Sequence, residues 1–434
     1  MTAAKTYSER LHDVIPGGAH TYSRGDDQYP ENAPQILERG EGAYVWEPGG
    51  RKFLDYGMAL RAVTLGYGYK PVADAAVAEI FKGNNLTRAS VTELEAAELV
   101  RELIPCAEMV KFAKNGSTVT TAAIKMARAY TGRELVAACE EHPFFSYDDW
   151  FIGSTVMQKG TEAGSRRLTL KFKYNDLASL QKVFSENPGK VACVILEPAT
   201  GAQPKDNFLH KVKELCAREG AVFILDEMIT GFRFHLSGAQ TLFDVKPDLA
   251  TFGKGMANGF SVAALTGKRE IMELGGIRNE GAERVFLVST THGAEMCGLG
   301  AFIAAIAEYK KHDVINHFWS YGEKLVSGLN AAAKDAGVGD CFRAEGFPCS
   351  PNYLTFGRDG KVSLPLRTLF SQEMIKQGVL MPWIALSLAH GESELDQTLA
   401  AARAALKVYA RALEDGADKH LKGRAIRPVF RKHN

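Results

Sequence analysis

The 434-residue sequence has no two cysteines in CxxC spacing, no apolar run as long as a membrane span and almost no net charge. Each lack removes a class of function. Seven cysteines are scattered at Cys106, Cys139, Cys193, Cys216, Cys297, Cys341 and Cys349, a spacing that suits neither a zinc site nor a disulfide scaffold. Reduced thiols and no metal are expected. A formal charge of +1 provides no field for nucleic acid or an anionic membrane, so small molecules are the expected partners. The basic ending KHLKGRAIRPVFRKHN reads as a solvated or docked terminus. The start, MTAAKTYSERLHDVIPGG, carries charges where a secretory signal needs its apolar core, and a cytoplasmic location is expected.

What remains is a globular composition, 46% hydrophobic and 24% charged, on a chain long enough for a large domain and a smaller one. Strand-like and helix-like segments alternate through the middle, the pattern of an α/β fold whose mostly parallel sheet is flanked by helices. MVKFA (109–113), VACVILEP (191–198) and AVFILDE (221–227) read as strands, the last two apolar enough to be covered on both faces. FLHKVKELCAREG reads as the helix between them. A helix is expected over 92–104, opened by a capping box of Thr92 and Glu95. From about Ala301 onward longer helices dominate, including Gln397 to Leu413. The expected division is an amino-terminal segment 1–60 packing with the small domain, a large domain 61–310 and a small α+β domain 311–434. No internal repeat or low-complexity tract is visible.

In such sheets ligands gather at the carboxyl ends of the strands, and three elements fall there. Asp226 ends AVFILD, where a carboxylate needs a cationic or hydrogen-bonding partner. Lys254 stands between two glycines in PDLATFGKG, after a strand. Asn115, Gly116 and Ser117 lie between MVKFA and an evident helix, where backbone amides form an anion site. Singly, each has an ordinary reading: a capping acid, a surface lysine, a plain turn. Together they suit an aldehyde-bearing pyridine phosphate: lysine makes the Schiff base, and the carboxylate keeps the ring nitrogen protonated. A nucleotide-dependent dehydrogenase is the rival from another class, but the glycines of GKGMANG are not spaced GxGxxG.

The ordered set PGGAHTYSR, GRKFLDYGMALRAVTLGYG, KNGSTVTTAAIKMARAYTGR, ILEP, LDEMITGFR, PDLATFGKG and STTHGAEM resembles the class III, fold-type I aminotransferases, above all the branch of glutamate-1-semialdehyde aminomutase. That resemblance implies pyridoxal phosphate (PLP) as cofactor, with Lys254 as its Schiff-base lysine and proton shuttle and Asp226 on the pyridinium nitrogen. It implies a phosphate cradle at Gly116 and Ser117, and Thr290 as a phosphate contact donated across a homodimer with shared active sites. Phe144, where the family has the Tyr of YHG, would stack on the ring. Met228 is either a core methionine or the contact on the opposite ring face. Arg24 matches the position that takes the substrate carboxylate, its alternative being a surface salt bridge, and Arg61 is a secondary substrate candidate.

Departures bear on the substrate. NGSTV replaces SGTEA, so Thr118 stands for the glutamate; Phe145 replaces the His of YHG, and Leu60 stands near the mutase tryptophan. GVLMPWIALSLAH is shorter than its mutase counterpart. The resemblance therefore implies a transaminase that moves an amino group from a donor such as glutamate to a carbonyl acceptor in a ping-pong cycle, with the aminomutase as alternative. The short segment and the GRAIRPVFRKHN ending are similar to aminotransferases of surface-sugar pathways, which implies a carboxylate-bearing keto-sugar as acceptor, of the 8-oxo-manno-octulosonate kind.

Overall fold

The computed structural model describes residues 5–199 and 201–434. The chain forms two compact units: one runs to Tyr69 and resumes over Asn316–Arg431, the other is Lys70–Ile315 with Lys432–Asn434. In the first unit, β1 (Arg39–Glu41), β2 (Tyr44–Trp46) and β3 (Lys52–Asp55) form an antiparallel meander.

The second unit supplies β4 (Met109–Ala113), β5 (Leu135–Cys139), β6 (Thr169–Phe172), β7 (Val191–Leu196), β8 (Val222–Asp226), β9 (Leu249–Phe252) and β10 (Ala263–Gly267). They make one sheet in the order β4-β10-β9-β8-β7-β5-β6. β5 to β9 run parallel, and β10 runs against both β9 and β4. Six strands therefore point one way, the mostly parallel sheet that the sequence implies. β7 and β8 are buried at every position, which is why they read as unbroken apolar runs rather than alternating ones.

Helices Leu177–Glu186 and Phe208–Glu219 cover this sheet with Leu180, Val183, Leu209, Val212 and Leu215, packed in one core with Val194, Leu196, Phe223 and Leu225. Helix Gly116–Thr131 packs across β7, β9 and β10. It stops at Gly132, whose φ of 65° is a left-handed cap. One expectation needs correction. Helix Val91–Leu103 is capped by Ser90, which accepts from the Glu93 N–H, not by Thr92. The stretch S-V-T-E places two hydroxyls near the start; Thr92 lies inside the first turn and donates to Glu79 Oε2 at 2.8 Å.

The first unit resumes with the hairpin β11 (Phe342–Phe347) and β12 (Ser350–Thr355), and with β13 (Val379–Leu380), which joins β3 in parallel. Helices Leu364–Lys376 and Glu392–Asp415 complete it. Among the described residues no helix is long and apolar enough to cross a membrane, and no group of three or more His, Cys, Asp or Glu is placed to hold a metal.

Candidate active site

Because β5, β7, β8 and β9 are parallel, the residues that follow each strand emerge at one edge of the sheet. Asp226 is the last residue of β8 and pairs in register with Thr251 of β9. Its Oδ1 accepts from the Met228 N–H at 3.0 Å and from Thr251 Oγ1 at 3.0 Å. Burial pushes the carboxyl up to about 6; the charge of Lys254 and the two hydrogen bonds pull the other way. Lys254 stands two residues past β9 and holds a left-handed φ of 41°. A side chain rarely sits there, at a cost of about 1–2 kcal/mol. The sheet edge thus joins a buried acid to an amine fixed by an unusual backbone.

The same edge carries an anion cradle. Asn115 caps helix Gly116–Thr131 by accepting the Thr118 N–H at 3.0 Å, which leaves the amides of Gly116 and Ser117 at the open helix end. A Cβ on Gly116 would lie 2.9 Å from Met228 Sδ, and one on Gly253 would lie 2.8 Å from the same sulfur. Met228, buried, is wedged between the cradle and the lysine loop. The segment after β5 is tied down over the helix start: Ser117 Oγ accepts the Tyr147 N–H at 3.1 Å, and Thr120 Oγ1 donates to Phe145 O at 2.7 Å. Phe145 is buried, while Phe144 is 48% exposed, edge-on to Phe151 at 5.9 Å. His142, close by in sequence, is buried with Nδ1 accepting the Glu197 N–H at 2.9 Å; burial pushes it down to about 4, so it is neutral at pH 7.

These residues fit pyridoxal phosphate. The cradle leaves no room for a side chain at Gly116, its amides face outward for a dianion, and the acid that would meet a pyridinium lies buried beside an amine. Thr290 is exposed and lines, with Leu86, Thr87 and Arg88, a cleft of about 340 Å³ in this unit.

Arg24 and Arg61 belong to the first unit. Arg24 lines a cleft of about 560 Å³ together with Tyr29, Asp55, Leu60, Tyr67 and Trp383. It is exposed and makes no ion pair among the described residues, and its charge acts on both Tyr29 and Tyr67. Beneath it lies a turn in which Met58, Ala59, Leu60 and Arg61 all have positive φ, from 39° to 70°. Asp55 holds the turn by accepting from the N–H groups of Gly57 (2.7 Å) and Met58 (3.0 Å) and from Tyr67 Oη (2.7 Å), which in turn accepts the Ala59 N–H. Ala59 and Leu60 line the cleft, and Arg61 closes the turn through its N–H to Gly57 O at 3.3 Å.

The structure thus brings Lys254, Asp226, Gly116, Ser117, Met228 and Phe144 to one sheet edge, with Thr290 and Arg24 each on a cleft wall. Thr251, Tyr147 and His142 escaped sequence reasoning. Their contacts lie across strands and loops far apart in the chain, and only a known sheet order would have singled them out.

The family description "Aminotransferase class-III" matches residues 26–379. The FumI protein of Sphingopyxis sp. MTA144, solved in its PLP internal aldimine form, is 26% identical with a TM-score of 0.85, over 94% of this chain and 96% of its own. An omega-transaminase from Sphaerobacter thermophilus is 23% identical with a TM-score of 0.83, over 93% and 97%. A glutamate-1-semialdehyde aminomutase from Pseudomonas aeruginosa PAO1 is 20% identical with a TM-score of 0.80, over 93% and 94%. At such identity the last two speak for the fold alone. With the family description spanning most of the sequence and a lysine, an acid and an anion cradle at one sheet edge, the chain belongs to the class III aminotransferases, PLP enzymes of fold type I.

Proposed function

We propose that this aminotransferase moves an amino group from a donor such as glutamate to a keto-sugar that bears a carboxylate, of the 8-oxo-manno-octulosonate kind used in surface polysaccharides. Bound PLP supplies an aldehyde that takes amino groups and a ring that accepts the electron pair of a broken Cα–H bond. Lys254 Nζ is the nucleophile toward that aldehyde and the group that carries the proton between substrate and cofactor carbons. Asp226, ionised, would accept the N–H of the ring nitrogen and so keep that nitrogen protonated. Gly116 and Ser117 bind the phosphate through their amides, Phe144 and Met228 bound the ring faces, and Arg24 takes the carboxylate of donor and acceptor in turn, since both use one site in a ping-pong cycle, with Arg61 supporting that wall.

The observation that carries the substrate class is Arg24, a guanidinium without an ion pair among the described residues, in a cleft walled by Tyr29, Tyr67 and Trp383. A forked cation suits a carboxylate and aromatic rings suit a sugar face. A homodimer is supported by the apolar side chains that helix Lys70–Phe81, the loop after it and helix Val91–Leu103 expose: Val77, Ile80, Phe81, Leu86, Val91 and Leu94. That face adjoins the chain segment that lines the Thr290 cleft, as the sharing of Thr290 with a partner requires. A cytoplasmic location accords with this chemistry.

The test is the purified holoenzyme mixed with glutamate. Oxoglutarate released in proportion to enzyme, with turnover only when a keto-sugar acid is added, supports the reading. Turnover of glutamate-1-semialdehyde without any second carbonyl compound replaces it with the aminomutase. A protein that stays colourless with added PLP overturns both.

A further inference from the structure

The carboxyl-terminal residues do more than end the chain. Arg427 donates its N–H to Asp27 O at 3.0 Å, and its own carbonyl accepts from Gln28 Nε2 at 3.0 Å. Arg431 pairs with Asp27 at 2.7 Å, and Arg424 reaches Asp26 Oδ1 at 3.5 Å. Three consecutive residues just beyond Arg24 are therefore gripped by the tail, two of them through main-chain or amide bonds. The tail is itself anchored to helix Leu364–Lys376. Gln372 accepts the Lys422 N–H (2.7 Å) and donates to His420 O (3.0 Å), and Thr368 Oγ1 accepts the Ile426 N–H (3.0 Å). Asp26 is held from its other side by Ser8 and His12.

Ordering a polar tail costs conformational entropy at every residue, and exposed ion pairs offset little of that. A tail needed only for solubility would stay free. Instead it fixes the segment that carries Arg24, and Arg424 reaches the wall of the same cleft.

We propose that residues 422–431 are a specificity-determining strap, which positions Arg24 for the substrate's carboxylate and closes the cleft with Arg424. This rests on the reading of Arg24 given above. Its test uses the donor half-reaction of the holoenzyme, followed by loss of the cofactor's visible band, with L-glutamate and with isopropylamine, which lacks a carboxylate. The variants are Arg24→Ala, Arg424→Ala and Arg427→Pro, the last removing the N–H that grips Asp27 together with the Arg427 side chain. Expected for all three is a rise of about tenfold or more in half-saturating glutamate, a maximal rate within about twofold of wild type and no change with isopropylamine. If Arg24→Ala shows this split and the strap variants do not, the strap is overturned while the carboxylate reading stands. If Arg24→Ala leaves glutamate saturation unchanged, or glutamate does not react at all, the carboxylate reading fails and the strap with it. Should Arg427→Pro not fold, Asp27→Asn, which removes the partner of Arg431, takes its place.

Discussion

Asp226 is a carboxyl whose burial makes the charged form expensive until a cation arrives, and pH separates these two situations. In the cofactor-free protein its raised value, about 6, means the folded chain holds the proton more tightly than the unfolded one. The stabilisation is present below about pH 4 and is lost as pH rises through about 6, on the order of 3 kcal/mol in all. Asp226→Asn, a neutral isostere, is therefore expected to melt higher than wild type above pH 6 when both lack cofactor. Binding of PLP follows the opposite sign, because a pyridinium needs the ionised acid. Titration of the cofactor-free protein between pH 5 and pH 8 should give tighter binding above about 6, a step absent from Asp226→Asn. A wild-type affinity that is flat in pH would remove Asp226 from the ring nitrogen. Lys254 allows a second test. At its left-handed φ, Lys254→Gly should be more stable than Lys254→Ala by about 1 kcal/mol in cofactor-free melts, with both colourless and inactive. Equal melting temperatures would mean that the backbone there is unstrained.

At the scale of elements, the turn Met58–Arg61 stores more strain than any other segment described above. Four successive side chains at positive φ persist because Asp55 and Tyr67 take up the turn's N–H groups. Ala59→Gly should raise stability by about 1 kcal/mol in denaturant titration, whereas Tyr67→Phe, which leaves the Ala59 N–H without its acceptor, should lower it by about 1–3 kcal/mol. The turn also marks where sequence reasoning ended. M-A-L-R contains no glycine, asparagine or aspartate to announce a left-handed path, so local propensity gives no hint of it. Lys254, Asp226 and the Gly116 helix start were legible, because a charged group at the end of an apolar run and a small residue before a helical period are local signals. Ser90 was missed in favour of Thr92 because both satisfy a hydroxyl-to-glutamate spacing, and only burial of Thr92 against Glu79 decides between them. In the sequence Arg424 is only one charge of a basic tail, since its partner Asp26 lies 398 residues away.

For the whole molecule, the exposed row of Val77, Ile80, Phe81 and Leu94 is the feature that a lone chain explains least well. If the chain pairs through this row, wild type should sediment as a dimer and Phe81→Asp with Leu94→Asp as monomers in analytical ultracentrifugation. If Thr290 serves a neighbouring copy, those monomers should also release PLP more readily than wild type on gel filtration. Monomers that keep their colour would detach Thr290 from the cofactor. The proportions of the chain suit such an assembly, since +1 of net charge opposes association of like copies only weakly.

The thiols carry a practical consequence. Six of the seven cysteines are buried, and burial pushes Cys106 and Cys193 up to about 12. A thiolate, not a thiol, reacts with maleimides, so these positions stay silent toward such reagents while the chain is folded. Cys297 alone is partly accessible, at the start of helix Met296–His312 and next to Met296 on the wall of the Thr290 cleft; partial burial raises its thiol too, so its labelling is favoured at alkaline pH. One dye per chain, attached without removing any native cysteine, would report changes at that cleft in real time, and the appearance of further labelled sites would time unfolding.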